Sequence, residues 1–320
     1  MVIQPVSLPV LMAALILDYL LADPWTWYHP VQAMGSVIHW GQIWILKIFV
    51  TPLGQRLGGG LLTLLLVLGS YGAAVVLIQG CQLIHPLLGM GMSVIILASS
   101  LGARSLHRAA LEVLTFLEQG ELEQARQRLS LYVGRDTEQL DQQEICRALV
   151  ETVAENTPDG ATAPLFYGLI GGPPLAWAYK AVSTLDSMVG YRRAPYTYLG
   201  TIPARLEDGL TWLPSRLTVI TLAFWSGSPW RFWQQCRRDA CADPSPNSGW
   251  SEAAFAYTLG IQLGGLNFYQ SQPKEKPRLG QPLRALDPAV VQDSVALLRK
   301  IMLTWIVLVS VIWGGIKLTL

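Results

Sequence analysis

Long apolar runs alternate with two polar blocks, and this alternation sets the architecture. A helix needs roughly 20 mainly apolar residues to cross the hydrocarbon of a bilayer. Val2–Ala22 meets that length with Asp18 as its one charge, and Leu61–Gln79, Leu83–Ala103 and Ile301–Leu320 meet it too. No Lys or Arg precedes Ala22, and no small-residue cleavage site follows a short apolar run there, so the first segment is expected to stay as a membrane helix. The Trp-rich stretch DPWTWYHPVQAMGSVIHWGQIW from Asp23 suits the headgroup level, where amphipathic aromatic rings settle.

Two further apolar segments are interrupted or short. Ala161–Val182 carries the run Gly171–Pro174 (GGPP) in its middle, which would leave backbone groups unpaired in lipid; two half-helices or a re-entrant hairpin satisfy that backbone better. Leu217–Trp225 is marginal as a span. The expected fold is an all-α, polytopic integral membrane protein of about four to six membrane segments, some broken or re-entrant, forming one membrane-embedded domain over 1–320.

The polar blocks, about 104–160 and 228–300, fix the expected orientation. Six Lys and Arg fall between Arg104 and Arg147 and nine between Arg231 and Lys300, whereas none precedes the first span. Basic residues collect on the cytoplasmic side, so both blocks are expected there, in a multi-pass protein of the plasma (inner) membrane. Composition agrees: 14% of residues are charged and 51% hydrophobic, against about 25% charged in soluble chains. A net charge of +1 gives no pull toward nucleic acid. Cys81, Cys146, Cys236 and Cys241 form no CxxC pair and read as structural thiols.

Candidate chemistry gathers near the polar blocks. Asp141, Glu144, Glu151 and Glu155 are spaced by 3, 7 and 4, which puts them on one helix face, with Asn156 and Asp159 at its end. Oxygen-rich clusters suit Mg²⁺ bound with phosphates, and a solvated helix face has the same spacing. Under the second reading, amide replacement at Glu151 or Glu155 leaves both fold and catalysis untouched; under the first it spares the fold alone. Arg104, His107 and Arg108 make a basic face fit for phosphate or carboxylate, or for snorkelling to lipid headgroups. Lys180, Asp186, Arg192 and Arg193 flank the broken segment, where ionisable groups are either functional or structurally paired. Asn247 and Ser248 sit in a Pro- and Asn-rich turn entering a helix, whose amides can receive an anion or simply be capped. Asp18, Asp23 and His29 make a fifth group. Neither GxxxxGK[ST] nor a strand-borne GxGxxG is present, so any ATP site is unconventional.

Taken in order, DYLLADPWTWYHPVQAMG, SLGARSLHRAA, YVGRDTEQLDQQEICRALVETVAENTPDGATAPLFYGLIGGPPLAWAYKAVSTLDSMVGY, ARLEDGLTWLPSRLT and PSPNSGWSEAAFAYTLGIQLGG resemble the adenosylcobinamide-phosphate synthase family, from about Asp18 to Gly265. The resemblance implies an ATP-dependent acid–amine ligase joining a carboxylate of adenosylcobyric acid to the amine of (R)-1-amino-2-propanol O-phosphate. It also implies Mg²⁺, a corrinoid substrate, contact with membrane lipid, and association with a second copy or with other corrinoid-pathway enzymes. On this reading Lys180, Glu151, Glu155 and Asp186 are catalytic and Glu144, Glu151, Glu155 and Asp159 hold metal. Arg104, His107, Arg108, Arg192, Arg193, Asn247 and Ser248 bind substrate or phosphate. The chain departs from the family pattern at Asp243 and Pro244, where a His is expected, and at Ser251, where a Pro is expected. A non-catalytic transporter or sensor has a similar span count, but it needs polar residues along the second and third spans, which hold almost none.

Overall fold

The computed structural model describes residues 7–20 and 30–319. Asp23 and His29 lie outside the described residues, as does the start of the Trp-rich stretch. The chain divides into two compact units, Met1–Gly102 with Ala163–Thr211, and Ala103–Thr162 with Trp212–Leu320.

The first unit is helical among its described residues. It holds α1 (Leu8–Leu20), α2 (Pro30–Ile48), α3 (Pro52–Ile84), α4 (Pro86–Ser100), α8 (Ala163–Val189) and the first part of α9 (Thr201–Trp225). Thr51 opens α3, its Oγ1 accepting from the Gly54 N–H at 3.1 Å, and Pro52 fills the first turn, where a missing N–H costs nothing. At 33 residues α3 is about 50 Å long, more than the hydrocarbon requires. One of its faces exposes Leu57, Leu61, Leu64, Leu65 and Leu68 at helical spacing, while Gly58, Gly59, Leu62 and Leu66 are buried. In water such a stripe would be a liability; in lipid it is the outer surface. Gly59 is required by close approach, because a Cβ there would run into the Leu199 carbonyl. The buried side of this unit centres on Ile38, Leu185, Val189 and Leu199.

α8 breaks where the GGPP run stands. Gly171 (φ −129°, ψ 17°) and Gly172 (φ 71°, ψ −175°) leave helical geometry immediately before Pro173 and Pro174, as expected of a broken segment. Among the described residues two helices, α3 and the Pro288–Val311 part of α12 (Pro288–Thr319), are long and apolar enough to cross a membrane. A third candidate arises if α4 and α5 (Ala103–Glu118) are one span bent by 42°.

The second unit carries the polar blocks. After α5 come α6 (Leu122–Leu129), α7 (Gln142–Thr157) and a π-helical turn Pro158–Thr162, then the second part of α9, α10 (Pro229–Ala240), α11 (Ser248–Leu259) and α12. Between α11 and α12 lies an antiparallel hairpin of β1 (Gln262–Tyr269) and β2 (Gln272–Gly280). The all-α expectation overlooked it. Its register pairs Gly265 with Lys276 and Asn267 with Lys274, with a bulge between Leu263 and Gly265.

Candidate functional site

The hairpin is anchored to α7 by two arginines. Gly264 (φ 84°) and Gly265 (φ 89°) occupy left-handed backbone at the bulge, and a Cβ on Gly264 would collide with the Pro277 carbonyl. Only glycine fits. That conformation aims the Gly264 N–H at Glu151 Oε1 (2.8 Å) and its carbonyl at Arg147 Nη1 (2.8 Å). Arg147 Nη1 also donates to Glu151 Oε1 at 2.8 Å, and Arg135 donates to Glu151 Oε2. Both guanidiniums then meet Asn267 Oδ1, from Arg135 at 2.7 Å and from Arg147 at 3.0 Å. Asp136 closes the hairpin's far end, accepting from the Gln270 and Ser271 N–H groups at 3.0 and 2.7 Å.

Glu151 is 1% exposed, and every oxygen it offers is taken. Burial pushes its carboxyl up, but Arg135, Arg147 and Lys276 together outweigh burial and hold it below the ordinary value. Glu144, at the outer end of the same face, is paired with Arg147. Asp141 is the N-cap of α7, accepting from the Glu144 N–H at 2.8 Å. Spacing thus put Glu144 and Glu151 on one side correctly, yet the face is neutralised by arginines rather than left acidic. Glu155 is exposed, Asn156 bonds back to the Thr152 carbonyl at 2.8 Å, and Asp159 is half-buried in the π-helical turn. Among the described residues no group of three or more His, Cys, Asp or Glu is placed to hold a metal ion. With Glu151 saturated and Glu144 paired, these side chains do not fit a protein-held Mg²⁺.

Arg216 of α9 organises the turn before α11. Its guanidinium lies 4.7 Å from the ring centroids of both Trp212 and Trp250, a double cation–π contact. It donates to Asn247 Oδ1 and the Pro246 carbonyl, each at 2.7 Å. Ser245 Oγ accepts from the Asn247 and Ser248 N–H groups at 3.2 Å, and Asp243 Oδ1 accepts from the Ser245 N–H at 2.8 Å. The turn therefore satisfies its own amides, and Asp243 takes part where the family pattern has a His.

His107 is buried between two arginines. Arg104 Nη1 stands 2.8 Å from Nδ1 and Arg299 Nη2 stands 2.8 Å from Nε2. Both guanidiniums can only donate, so a ring nitrogen that takes either bond does so as acceptor. Arg108 is exposed and acts electrostatically on Glu112, which accepts from Arg128 and Tyr132. Lys180 and Asp186 are half-buried on α8 in the first unit; Arg192 and Arg193 are exposed beyond it, Arg193 lying 5.1 Å from the Tyr191 ring centroid. The first unit also holds buried Glu207, which accepts from Thr211, itself 2.7 Å from the Tyr179 hydroxyl.

A cleft of about 1350 Å³ opens beside the arginine core, within the second unit. Gly264 and five arginines (Arg126, Arg135, Arg147, Arg278 and Arg284) line it together with five carboxylates (Glu123, Asp136, Glu138, Asp141 and Glu144), and Leu266 and Phe268 project from β1 with half their surface exposed. Arg135, Arg147, Asn267, Glu252 and Lys276 are not among the candidate site residues expected from the sequence. Arg147 stands three residues after Glu144 and four before Glu151, a spacing that announces the ion-paired face.

A helical membrane protein with a polar unit built round a saturated arginine–carboxylate core is the class these features define. The profile described as CobD/Cbib protein matches residues 11–298, and the chain belongs to that family. It is 48% identical over 305 residues to the cobalamin biosynthesis protein CobD of Synechocystis sp., covering 93% of this chain and 89% of that one. To CobD of Geobacter metallireducens it is 45% identical, covering 90% and 91%. To the cobalamin biosynthesis protein CbiB of Salmonella typhimurium it is 41% identical, covering 89% and 91%. No solved structure matches the chain significantly.

Proposed function

We propose that this chain is a membrane-bound enzyme of cobalamin biosynthesis that forms an amide bond at the cost of ATP, joining adenosylcobyric acid to (R)-1-amino-2-propanol O-phosphate. One observation carries the reading. Two separate blocks of the resemblance, around Glu151 and around Gly264, meet through the Gly264 N–H and the arginine core, at the edge of a cleft large enough for a bulky substrate. Relatives named for cobalamin biosynthesis support the pathway.

The chemistry asked of the site is activation and attack. The substrate carboxylate oxygen attacks the γ-phosphorus of ATP and ADP departs; the amine nitrogen then attacks the acyl phosphate carbon and phosphate leaves with the proton. Phosphoryl transfer is catalysed chiefly by positioning and by fixed positive charge. Arg278 and Arg126 at the cleft, and Arg104 and Arg108 on α5, are the cations of this unit assigned to anionic groups. Mg²⁺ arrives with the nucleotide phosphates, as it commonly does. The test is incubation of purified protein with adenosylcobyric acid, MgATP and the amine, with mass analysis of the corrinoid. A product heavier by the amine residue supports the reading; unchanged corrinoid alongside ATP refutes it.

A further inference from the structure

Two carboxylates of the second unit are buried among the described residues, Glu151 and Glu252, and they differ in the donors they meet. Asp136 accepts two backbone N–H groups, Asp239 accepts from Tyr257 and the Gly280 N–H, and Glu151 accepts three donors. Glu252, on α11 one turn beyond Ser248, is 0% exposed, and neither of its oxygens meets a hydrogen-bond donor among the described residues. Lys276 Nζ stands 3.7 Å from Oε1, an ion pair beyond hydrogen-bond reach. Purely structural buried carboxylates are both paired and hydrogen-bonded, because an unserved oxygen is costly.

Charge accounting shows what is missing. Arg135 and Arg147 balance Glu144 and Glu151. Lys276 is left to face both Glu252 and Glu155, which each act on it electrostatically, so one ammonium serves two carboxylates. Glu155 is exposed on α7. A divalent metal keeps several waters and an octahedral shell, which a fully buried carboxylate without converging ligands does not provide. An alkylammonium is a single charge with three N–H donors, the complement of two bare oxygens.

We propose that Glu252, with Glu155 beside it, binds the ammonium group of the amine substrate and accepts its proton before the carbon–nitrogen bond forms. The inference rests on the amide-forming reading above. An ammonium has no lone pair; transfer of one proton to the Glu252 carboxylate leaves a neutral amine and a carboxylic acid. The nitrogen lone pair then forms the amide bond, the acyl C–O bond breaks, and the second proton leaves with phosphate. Burial, opposed by Lys276 and reinforced by Glu155, Glu151 and Asp243, pushes the Glu252 carboxyl well above its ordinary value, which suits a proton acceptor.

The experiment is steady-state kinetics of the full chain in lipid nanodiscs, with (R)-1-amino-2-propanol O-phosphate varied at saturating adenosylcobyric acid and MgATP from pH 6 to pH 9. Glu252→Gln is expected to lower kcat/KM for the amine by about 10²–10⁴-fold while KM for ATP is unchanged. Its residual rate should climb about tenfold per pH unit, following the free amine, whereas the wild type is flatter. Glu252→Asp should recover part of the loss, and the exposed Glu155→Gln should raise the amine KM several-fold. Those two variants carry the test if Glu252→Gln does not accumulate. An amine KM and pH profile like the wild type's in all variants, or a change confined to the Mg²⁺ requirement, would overturn the proposal. Amide product from the wild type with such unaffected variants refutes this inference alone; no product from the wild type refutes the functional reading on which it rests.

Discussion

Replacing Glu151 with Gln tests whether the arginine core holds the second unit together. The side chain keeps its shape, but its oxygens now face only donors: Arg147 Nη1 and the Gly264 N–H on one side, Arg135 on the other. Whichever way the amide turns, its NH₂ points at a donor, and two guanidiniums, each under 10% exposed, lose their shared counter-charge. Breaking a buried ion pair from one side costs about 3–5 kcal/mol, so a thermal midpoint drop of roughly 6 °C or more is expected. Glu155→Gln, four residues on and exposed, should change stability by less than about 0.5 kcal/mol. Unfolding of both variants in one detergent makes the comparison. Because the Glu151 carboxyl is held below its ordinary 4.5, its contribution is complete above that pH and is lost as pH falls through the folded value. Glu151→Gln should therefore also flatten the acid limb of the stability profile. Stability of Glu151→Gln within about 0.5 kcal/mol of the wild type would refute the reasoning.

Gly264→Ala should destabilise by at least about 1–3 kcal/mol, measured by the same unfolding assay, since it adds a Cβ at φ 84° against a carbonyl. Glu252→Gln should be at least as stable as the wild type at pH 7: a carboxyl whose folded pKa is raised costs stability once pH exceeds the unfolded value, and the amide removes that cost. Arg216→Lys keeps the charge but loses the planar stacking on Trp212 and Trp250, so limited proteolysis should cut faster around 243–248. In intact cells a membrane-impermeant maleimide should spare the exposed Cys241 and label it after permeabilisation, while buried Cys146 and Cys236 stay unmodified in the folded protein.

Elements that depend on local pattern were legible in the sequence. The long apolar stripe of α3, the break at Gly171–Gly172 and the shared side of Glu144 and Glu151 all follow from helical period or from glycine and proline chemistry. What escaped depends on pairing at a distance. The hairpin's strands contain Gly264, Gly265, Pro273 and Pro277, residues that weaken strand patterns, and only the turn residues Gln270 and Ser271 held by Asp136 reveal why they pair. Glu252 is the one charge in an alanine-rich helix, and its burial is set by elements far away in the chain. On α7 the pairing of Glu144 and Glu151 with Arg147 follows helical spacing, whereas the second arginine at Glu151, Arg135, lies outside the helix and is brought there by the fold.

The bond from the Gly264 N–H to Glu151 spans 113 residues, and that span orders events at the ribosome. Synthesis at about 5–20 residues per second separates the two partners by roughly 6–23 s. Throughout that interval α7 carries Arg147 and Glu151 with the Gly264 peptide that will complete them still untranslated. Water or a chaperone must serve those groups in the meantime, and a ribosome stalled before Gly264 releases a chain whose ion-paired centre cannot close. Truncated products of this gene should accordingly be cleared by proteases rather than persist as partly folded fragments.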